Sequence, residues 1–546
     1  VTRAASPAAL LAQQAQVFGA SALFVIPAAV ADLWGEARRT WTYAEAQAQV
    51  ETLRAAYRAA GFGPGHRVAL LLENRPAHFL HWLALNGLGV CVVPLNPDAA
   101  ADELAWILAH SDAGLIVTLS QRRDQVAGLG VPVLLDGDTP PAVPAAGDGG
   151  QHCALIYTSG TSGRPKGCQL SDAYFMAWAD WYLAQPEPIA LRPGRERLLT
   201  PMPCFHVNAM GNSFMGMLAS GGAQIIVDRF HPRQWWDTAI ETGATCFHYL
   251  GVMPAMLLNL PPAPHDRAHG LRFGSGGGVH PDNHAAFEAR FGVPLIEGWA
   301  MTETGGACIL SSLPGPRHVG TRCIGRADRP GPKMEVRLID GLDRELVGEG
   351  EGEMCVRAAG PDPTAGLFSG YLKDPVATDA AWQDGWLRTG DVVRRGPDGA
   401  LHFVDRRRNV IRRSGENIAA LEVEGVLASH PDVAQVVVVA LPDPVREEEV
   451  MAVVVPQAGT EGGALARALF AHCADKLAYF KVPGLVMFRD ALPVTSTQKM
   501  RRVSATAFAA NPLTDPRAHD FRAEKQGLRR QTTPAHAPAE EDRADP

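Results

Sequence analysis

The nine cysteines of this 546-residue sequence include no Cys-x-x-Cys pair. Scattered from Cys91 to Cys473, they fit reduced thiols in a cytoplasmic protein, not a disulfide framework or a zinc site. A surplus of positive charge is also missing. The formal net charge is -8, and no stretch concentrates Lys and Arg enough to offset it, which argues against a nucleic-acid binder. Long apolar runs are absent too. In "ASALFVIPAAVADLW" (20–34), Pro27 interrupts the run and Asp32 ends it, short of the roughly 18 to 20 residues a membrane span needs. Only one cation precedes it, so it does not read as a signal peptide and is expected to be a first buried helix or loop. No integral membrane segment and no internal repeat are expected elsewhere.

What is present is an ordinary globular balance, 46% hydrophobic and 20% charged, in a chain long enough for at least two domains. From about 40 to 320, strand-length apolar runs alternate with helical stretches. "RVALLL" (67–72), "GVCVVPL" (89–95), "GLIVTL" (114–119) and "AQIIVD" (223–228) are such runs, and "AHFLHWLALNGLG" (77–89) is a helical one. That alternation predicts an α/β fold with helix-covered, largely parallel β-sheets. From 321 to 404, "MEVRLID", "GEMCVRA" and "LHFVD" between Gly, Asp and Pro turns predict a small β-barrel or sheet. After Asp405, a basic run leads into Val423, Val426 and Leu427 at helical spacing, then "QVVVVAL" and "VMAVVVP". These predict an N-terminal domain over 1–405, a small mobile α+β C-terminal domain over 406–512, and a disordered tail over 513–546.

"YTSGTSGRPKG" (157–167) has no packing role that would explain it. Its glycines let backbone N–H groups turn inward as an anion nest; Thr158, Ser159, Thr161 and Ser162 add hydroxyl donors, and Lys166 adds charge. Polyphosphate is the natural ligand. Residues 154–158 predict a buried strand and 171–183 a helix opening at Ser171, with the loop between them. The pattern is not a Walker A motif, since Pro165 precedes the lysine and Gly167 follows it.

That segment resembles the phosphate loop of the adenylate-forming superfamily, which includes acyl- and aryl-CoA synthetases, luciferases and peptide-synthetase adenylation domains. Further segments resemble its motifs in order: "PMPCFHVNAMG" (201–211), "GSGGGVHP" (274–281), "GWAMTETGG" (298–306), "GWLRTGD" (385–391), "DRRRNVIRRSGENI" (405–418) and "LPVTSTQKMRR" (492–502). Within the superfamily, "FVDRRRNVIRRSGENI" and "KLAYFKVP" most resemble bacterial acyl-CoA ligases of the crotonobetaine/carnitine-CoA ligase type.

The resemblance implies a role for each matching residue. Gly160 and Gly163 belong to the phosphate loop with Lys166, and Gly276 and Gly277 flank the adenine on which Trp299 would stack. Asp391 would bind the ribose hydroxyls and Arg406 the ribose or phosphates. Thr302 would donate to the α-phosphate, and Glu303 would hold Mg²⁺, a hard cation suited to carboxylate oxygen. His206 would lie beside the scissile carboxylate. Lys499 would stabilise charge developing between that carboxylate and the α-phosphate. The acyl pocket would include Met210, Gly211, Gly277 and Cys308, with Gly276 and Gly277 leaving room for a bulky group. Such small, soft residues suit an apolar acid.

An acyl-AMP needs an acceptor, and the resemblance implies coenzyme A (CoA). The small domain would pivot at Arg408 and bring Gly415 to the pantetheine tunnel. The family usually has Asp or Lys followed by an acid at the pivot, where this chain has Arg408-Asn409. His206 follows Phe205 where adenylation domains place an amine-binding Asp, which disfavours an amino-acid substrate, and no carrier-protein domain is expected after residue 505. The expected cofactors are ATP, Mg²⁺ and CoA, with a small carboxylic acid as the other partner; a homodimer is compatible with this. The rival readings are an acyl-AMP ligase that loads a carrier protein and a nucleotide-binding relative without turnover.

Overall fold

The computed structural model describes residues 4–145, 152–158, 165–413, 416–443, 446–457, 462–493, 507–508 and 511–532. The chain divides into two compact units. One comprises Val1–Thr389 with Val393–Phe403, and the other comprises Gly390–Val392 with Val404–Pro546.

The first unit holds two sheets whose inner strands run parallel. One is ordered Val133–Leu135, Leu115–Thr118, Arg67–Leu71, Cys91–Pro94, Ala154–Thr158, Lys166–Leu170. The other is ordered Leu310–Ser311, Leu295–Trp299, Phe273–Gly277, Cys246–Leu250, Arg197–Thr200, Ala223–Ile226, Ala22–Val25, Thr40–Thr42. Strands such as Cys91–Pro94 and Leu115–Thr118 are buried along their whole length, because helices cover both faces. The helix Pro76–Asn86 is apolar nearly all round and correspondingly enclosed. The helix Asp172–Leu183 is capped by the Ser171 hydroxyl, which accepts from the Tyr174 N–H, and buries Tyr174, Phe175, Trp178, Trp181 and Tyr182. A third, antiparallel sheet joins Cys323–Gly325, Leu401–Arg406, Trp386–Arg395, Gly350–Ala358 and Met334–Ile339.

Two local expectations change. Residues 22–25 form a strand parallel to Ala223–Ile226, and the helix Ala28–Trp34 begins only after Pro27. Proline restricts the residue before it to extended backbone, so the apolar run cannot be one helix. Between the phosphate-loop strand and the Ser171 helix, the chain forms another strand. Lys166–Leu170 pairs antiparallel with Ala154–Thr158, Tyr157 opposite Gly167. The chain after the loop therefore runs back beside the strand before it, and the helix Asp172–Leu183 begins only after that second strand. Gly167 fits closely there: a Cβ would stand 3.0 Å from the Tyr157 ring, which would have to shift by a few tenths of an ångström.

In the second unit, Glu416–Ala419, Val410–Arg413, Glu447–Pro456, Leu485–Phe488 and Ala518–Asp520 form a sheet, with Val433–Asp443 also paired to Glu447–Pro456. The helices Ala420–Ala428 and Gly463–Lys476 pack on it through Val423, Leu427, Leu465 and Leu469. The tail expected from 513 is corrected in part. Ala518–Asp520 adds a strand beside Leu485–Phe488, and Arg522–Thr532 is a helix. Phe521, 4% exposed, enters the core. Residues 533–546 lie outside the described residues.

Truncating Phe521 to Ala should cost about 3–5 kcal/mol of stability in the second unit. Chemical denaturation of the intact chain, read by a probe in that unit, checks this; a structureless tail would register no change.

Candidate active site

Lys166 opens the second strand of the hairpin, and that strand is clasped by a distant segment. The Gln169 N–H donates to the Gly370 carbonyl (2.9 Å), the Ser369 N–H to Gln169 (2.8 Å) and the Leu372 N–H to Gly167 (2.8 Å). These bonds place Tyr371 under Lys166. The ammonium stands 4.9 Å from the Tyr371 ring centroid and 4.0 Å from the Asp374 carboxylate. On the other side, the Tyr371 hydroxyl donates to Glu303 Oε1 at 2.8 Å. Burial and the Glu303 charge both push the Tyr371 phenol up, so it remains a donor.

The turn carrying Thr302 and Glu303 is fixed from two sides. The Tyr174 hydroxyl donates to the Thr302 carbonyl (2.7 Å), and the Phe368 N–H donates to the Glu303 carbonyl (3.0 Å). Glu303 is 7% exposed. Cys168 lies close by, with the Thr158 hydroxyl 4.0 Å from its sulfur. Burial, then Glu303, push the Cys168 thiol well up, which keeps it neutral and unreactive. Thr158, Lys166, Thr302 and Glu303 thus come together in one region. Among the described residues no group of three or more His, Cys, Asp or Glu gathers to hold a metal. The Glu303 carboxylate is the group in this region that could hold Mg²⁺, a hard cation that prefers oxygen.

Gly276 and Gly277 lie on the strand Phe273–Gly277, where the sheet packs backbone closely. A Cβ at Gly276 would stand 2.2 Å from the Tyr249 carbonyl oxygen, and one at Gly277 would stand 2.7 Å from that of Gly298. They allow backbone to approach backbone between adjacent strands. Trp299 ends the strand Leu295–Trp299, is 7% exposed and belongs to the central apolar cluster.

His206 is half-buried against Phe205, with ring centroids 4.5 Å apart. Its carbonyl accepts from the Met210 N–H at the start of a π-helix, Asn208–Met215. Such wide turns recur at functional sites. Met210 and Cys308 are fully enclosed in the core. Gly211 lets the π-helix approach the Trp178 indole, whose nitrogen would be 2.6 Å from an added Cβ.

Asp391 and Arg406 belong to the second unit, where Arg406 Nε lies 3.3 Å from Asp391 Oδ1. The neighbouring Asp405 is buried and accepts from the Arg406 and Leu421 N–H groups and the Asn409 amide. The backbone of Arg408 lies in a 3-10 turn, Arg407–Asn409. Ser159, Gly160, Thr161, Ser162, Gly163, Gly415 and Lys499 lie outside the described residues.

Tyr371 and Asp374 were missed by sequence reading. "GYLKDP" reads as a turn before a helix, and nothing local links it to residue 166 or 303. Glu297 was missed as well. Its Oε1 accepts the Val279 N–H (3.1 Å), fixing the glycine-rich turn, and its Oε2 lies 3.6 Å from His284 Nδ1. His284 Nε2 lies 3.3 Å from Glu288, which Arg317 also holds. Burial opposes a charge on His284, but hydrogen bonds to Glu288 and Glu297 outweigh it and raise the imidazole to about 9. Burial likewise opposes the charge on Glu288, yet Arg317 and His284 bring it down to about 2.

The AMP-binding enzyme family matches residues 20–372, and its C-terminal domain family matches 422–499. Crotonobetaine/carnitine–CoA ligases of Salmonella paratyphi B and Salmonella choleraesuis are 30% identical over 498 residues, covering 85% of this chain and 92% of theirs. The amide bond synthetase McbA of Marinactinospora thermotolerans superposes with a TM-score of 0.76 at 27% identity, covering 92% of this chain and 99% of its own. The O-succinylbenzoate–CoA synthetase of Bacillus subtilis, in complex with AMP, shares the fold at a TM-score of 0.75 and 24% identity, covering 90% and 96%. Among the described residues no helix is long and apolar enough to cross a membrane.

The His284 network carries a pH dependence with a definite sign. The folded pKa is raised, so the stabilisation is complete below about 6.5 and lost as pH rises through about 9. It amounts to roughly 3 kcal/mol at its maximum. The Tm of His284→Gln should therefore fall below wild type at pH 6–7 and converge with it above pH 9. A gap that is constant with pH would show that His284 carries no charge.

Proposed function

This chain belongs to the AMP-binding enzyme family, and we propose that within it the protein is an ATP-dependent acyl-CoA synthetase. The observation that carries this reading is a match to both family modules, in order, together with relatives named CoA ligases that align over 92% of their own length. In the first step a carboxylate oxygen attacks the α-phosphorus of ATP. The bond to the bridging oxygen breaks, and acyl-AMP and pyrophosphate form. In the second, the CoA sulfur attacks the acyl carbon, AMP leaves with the C–O electron pair, and the thiol proton passes to solvent.

In this reading Lys166 and the hairpin loop bind the β- and γ-phosphates. Tyr371 engages one oxygen of Glu303, orienting the carboxylate. When bound there, Mg²⁺ would supply positive charge to the phosphates. Thr302 donates to the α-phosphate, and Lys499 stabilises the charge spread between the acid and the phosphorus. Asp391 and Arg406 take the ribose, and Gly415 faces the pantetheine after the small domain rotates. His206 and the π-helix line the acid. In this reading the acid is an apolar acyl or ring carboxylate, since the small, soft residues of this region suit an apolar group. The likeness to an amide bond synthetase favours a second reading in which an amine accepts the acyl group.

A panel of carboxylic acids should release pyrophosphate with ATP alone, and AMP with a thioester product only when CoA is added. Product with an amine but none with CoA would select the second reading. Lys499→Ala should slow acyl-AMP formation about a hundredfold or more, a loss on the order of 3 kcal/mol, while still converting supplied acyl-AMP and CoA. A bulky residue at Gly415 should do the reverse. Equal slowing of both steps by Lys499→Ala would refute the rotating small domain.

A further inference from the structure

Three side chains on one face of the helix Asp172–Leu183 meet two segments that the proposed first step must bring together. Tyr174, Trp178 and Tyr182 are four residues apart, so they form one row along the helix. At its N-terminal end, the Tyr174 hydroxyl donates to the Thr302 carbonyl, and a Cβ at Gly305 would overlap the Tyr174 ring. In the middle, Trp178 lies against Gly306 and, through its indole, against Gly211. At the C-terminal end, the Tyr182 ring lies against Gly216, which directly follows the π-helix Asn208–Met215. One row thus touches both the Thr302 turn and the segment after His206.

A buried polar chain extends the last of these contacts. The Tyr182 hydroxyl lies 3.0 Å from His248 Nε2, and Ser213 Oγ lies 2.8 Å from His248 Nδ1. Tyr182, His248 and Ser213 are each 0% exposed. Burial lowers the His248 imidazole to about 3, so the ring is neutral, with one nitrogen donating and the other accepting. Each hydroxyl can take the complementary role. Bonds of this kind have direction, and a satisfied buried network specifies one packing where apolar groups of the same volume would allow several. Ser213 stands inside the π-helix, a rare turn that recurs at functional sites. Relaxing it to an ordinary α-helix would shift the residues on one side of it by one position. His206, whose carbonyl accepts the Met210 N–H, is where that shift would be felt.

We propose that His248 is a positioning residue for acid activation: by joining Tyr182 to Ser213 it locks the π-helix to the helix that also holds Thr302, and so sets the acid in register with the α-phosphate. This rests on the acyl-AMP step proposed above.

Ser213→Ala, His248→Gln and His248→Asn in the full chain test it by acid-dependent pyrophosphate exchange. Gln places its amide nitrogen where Nε2 stands and can still reach Tyr182. Asn places its amide nitrogen where Nδ1 stands and can still reach Ser213. Each His248 variant leaves one buried bond unmade, so a purely structural role gives the same loss in both. The expected result is a kcat/KM for the acid at least about tenfold lower in Ser213→Ala and His248→Gln, with the KM for ATP within about twofold of wild type. His248→Asn should recover to within about threefold of wild type, because the Ser213 bond is kept. Equal loss in the two His248 variants, a wild-type acid kcat/KM in Ser213→Ala, or a KM for ATP that rises together with that for the acid overturns the proposal. Ser213→Ala removes a single oxygen and decides alone if neither His248 variant folds. Wild-type protein that exchanges pyrophosphate with no acid defeats the acyl-AMP reading itself, and the proposal falls with it.

Discussion

The first unit's candidate site depends on one hydrogen bond, from the Tyr371 hydroxyl to the Glu303 carboxylate. Three stretches far apart in sequence meet there: the hairpin strand from Lys166, the turn at Thr302–Glu303, and the segment 368–374. Each is held by backbone bonds as well, so the side chains meet without having to order themselves. Lys166 above the Tyr371 ring and Glu303 beyond its hydroxyl set a cation and an anion on either side of one buried phenol. The phenol cannot ionise in that setting, so it can only donate to Glu303. An anionic ligand bridging Lys166 and a Glu303-bound cation would find both partners already oriented, and orientation achieved before binding is not subtracted from affinity.

A second constraint is backbone proximity. Gly276, Gly277 and Gly211 stand where strands or a helix approach other atoms more closely than any Cβ allows. At Gly276 and Gly277 the close neighbour is main chain, and at Gly211 it is the Trp178 indole, so a side chain at any of the three would push packed atoms apart. The wide turn of the π-helix Asn208–Met215 belongs to the same design, since Gly211 lies there against the Trp178 indole. Buried charge plays the complementary part. Glu297, with His284, Glu288 and Arg317 behind it, ties the glycine-rich turn at Val279, and Glu449 ties the strand Val410–Arg413 at Arg413. In both places a carboxylate in the core ties one stretch of chain to another.

The sequence by itself determined the family, the order of the motifs and the alternation of strands and helices in the first unit, and it singled out Thr158, Lys166, Thr302 and Glu303, which the fold brings into one region. Those signals are local: glycine density, apolar runs of strand length, Ser171 as a helix cap. Tertiary structure alone decided which distant residues complete the site. Tyr371 and Asp374 carry no local mark, because their role comes from strand pairing between residues about two hundred positions apart. The hairpin at Lys166–Leu170 was hidden because a five-residue strand beside a glycine loop looks like more loop until an edge is available to pair it. The C-terminal helix was hidden for a different reason. Phe521, Lys525 and Leu528 face the core at helical spacing, but a lysine in the middle slot breaks the apolar period. Only the buried Glu449 on a neighbouring strand makes that lysine a core residue, and its position is set by the whole sheet.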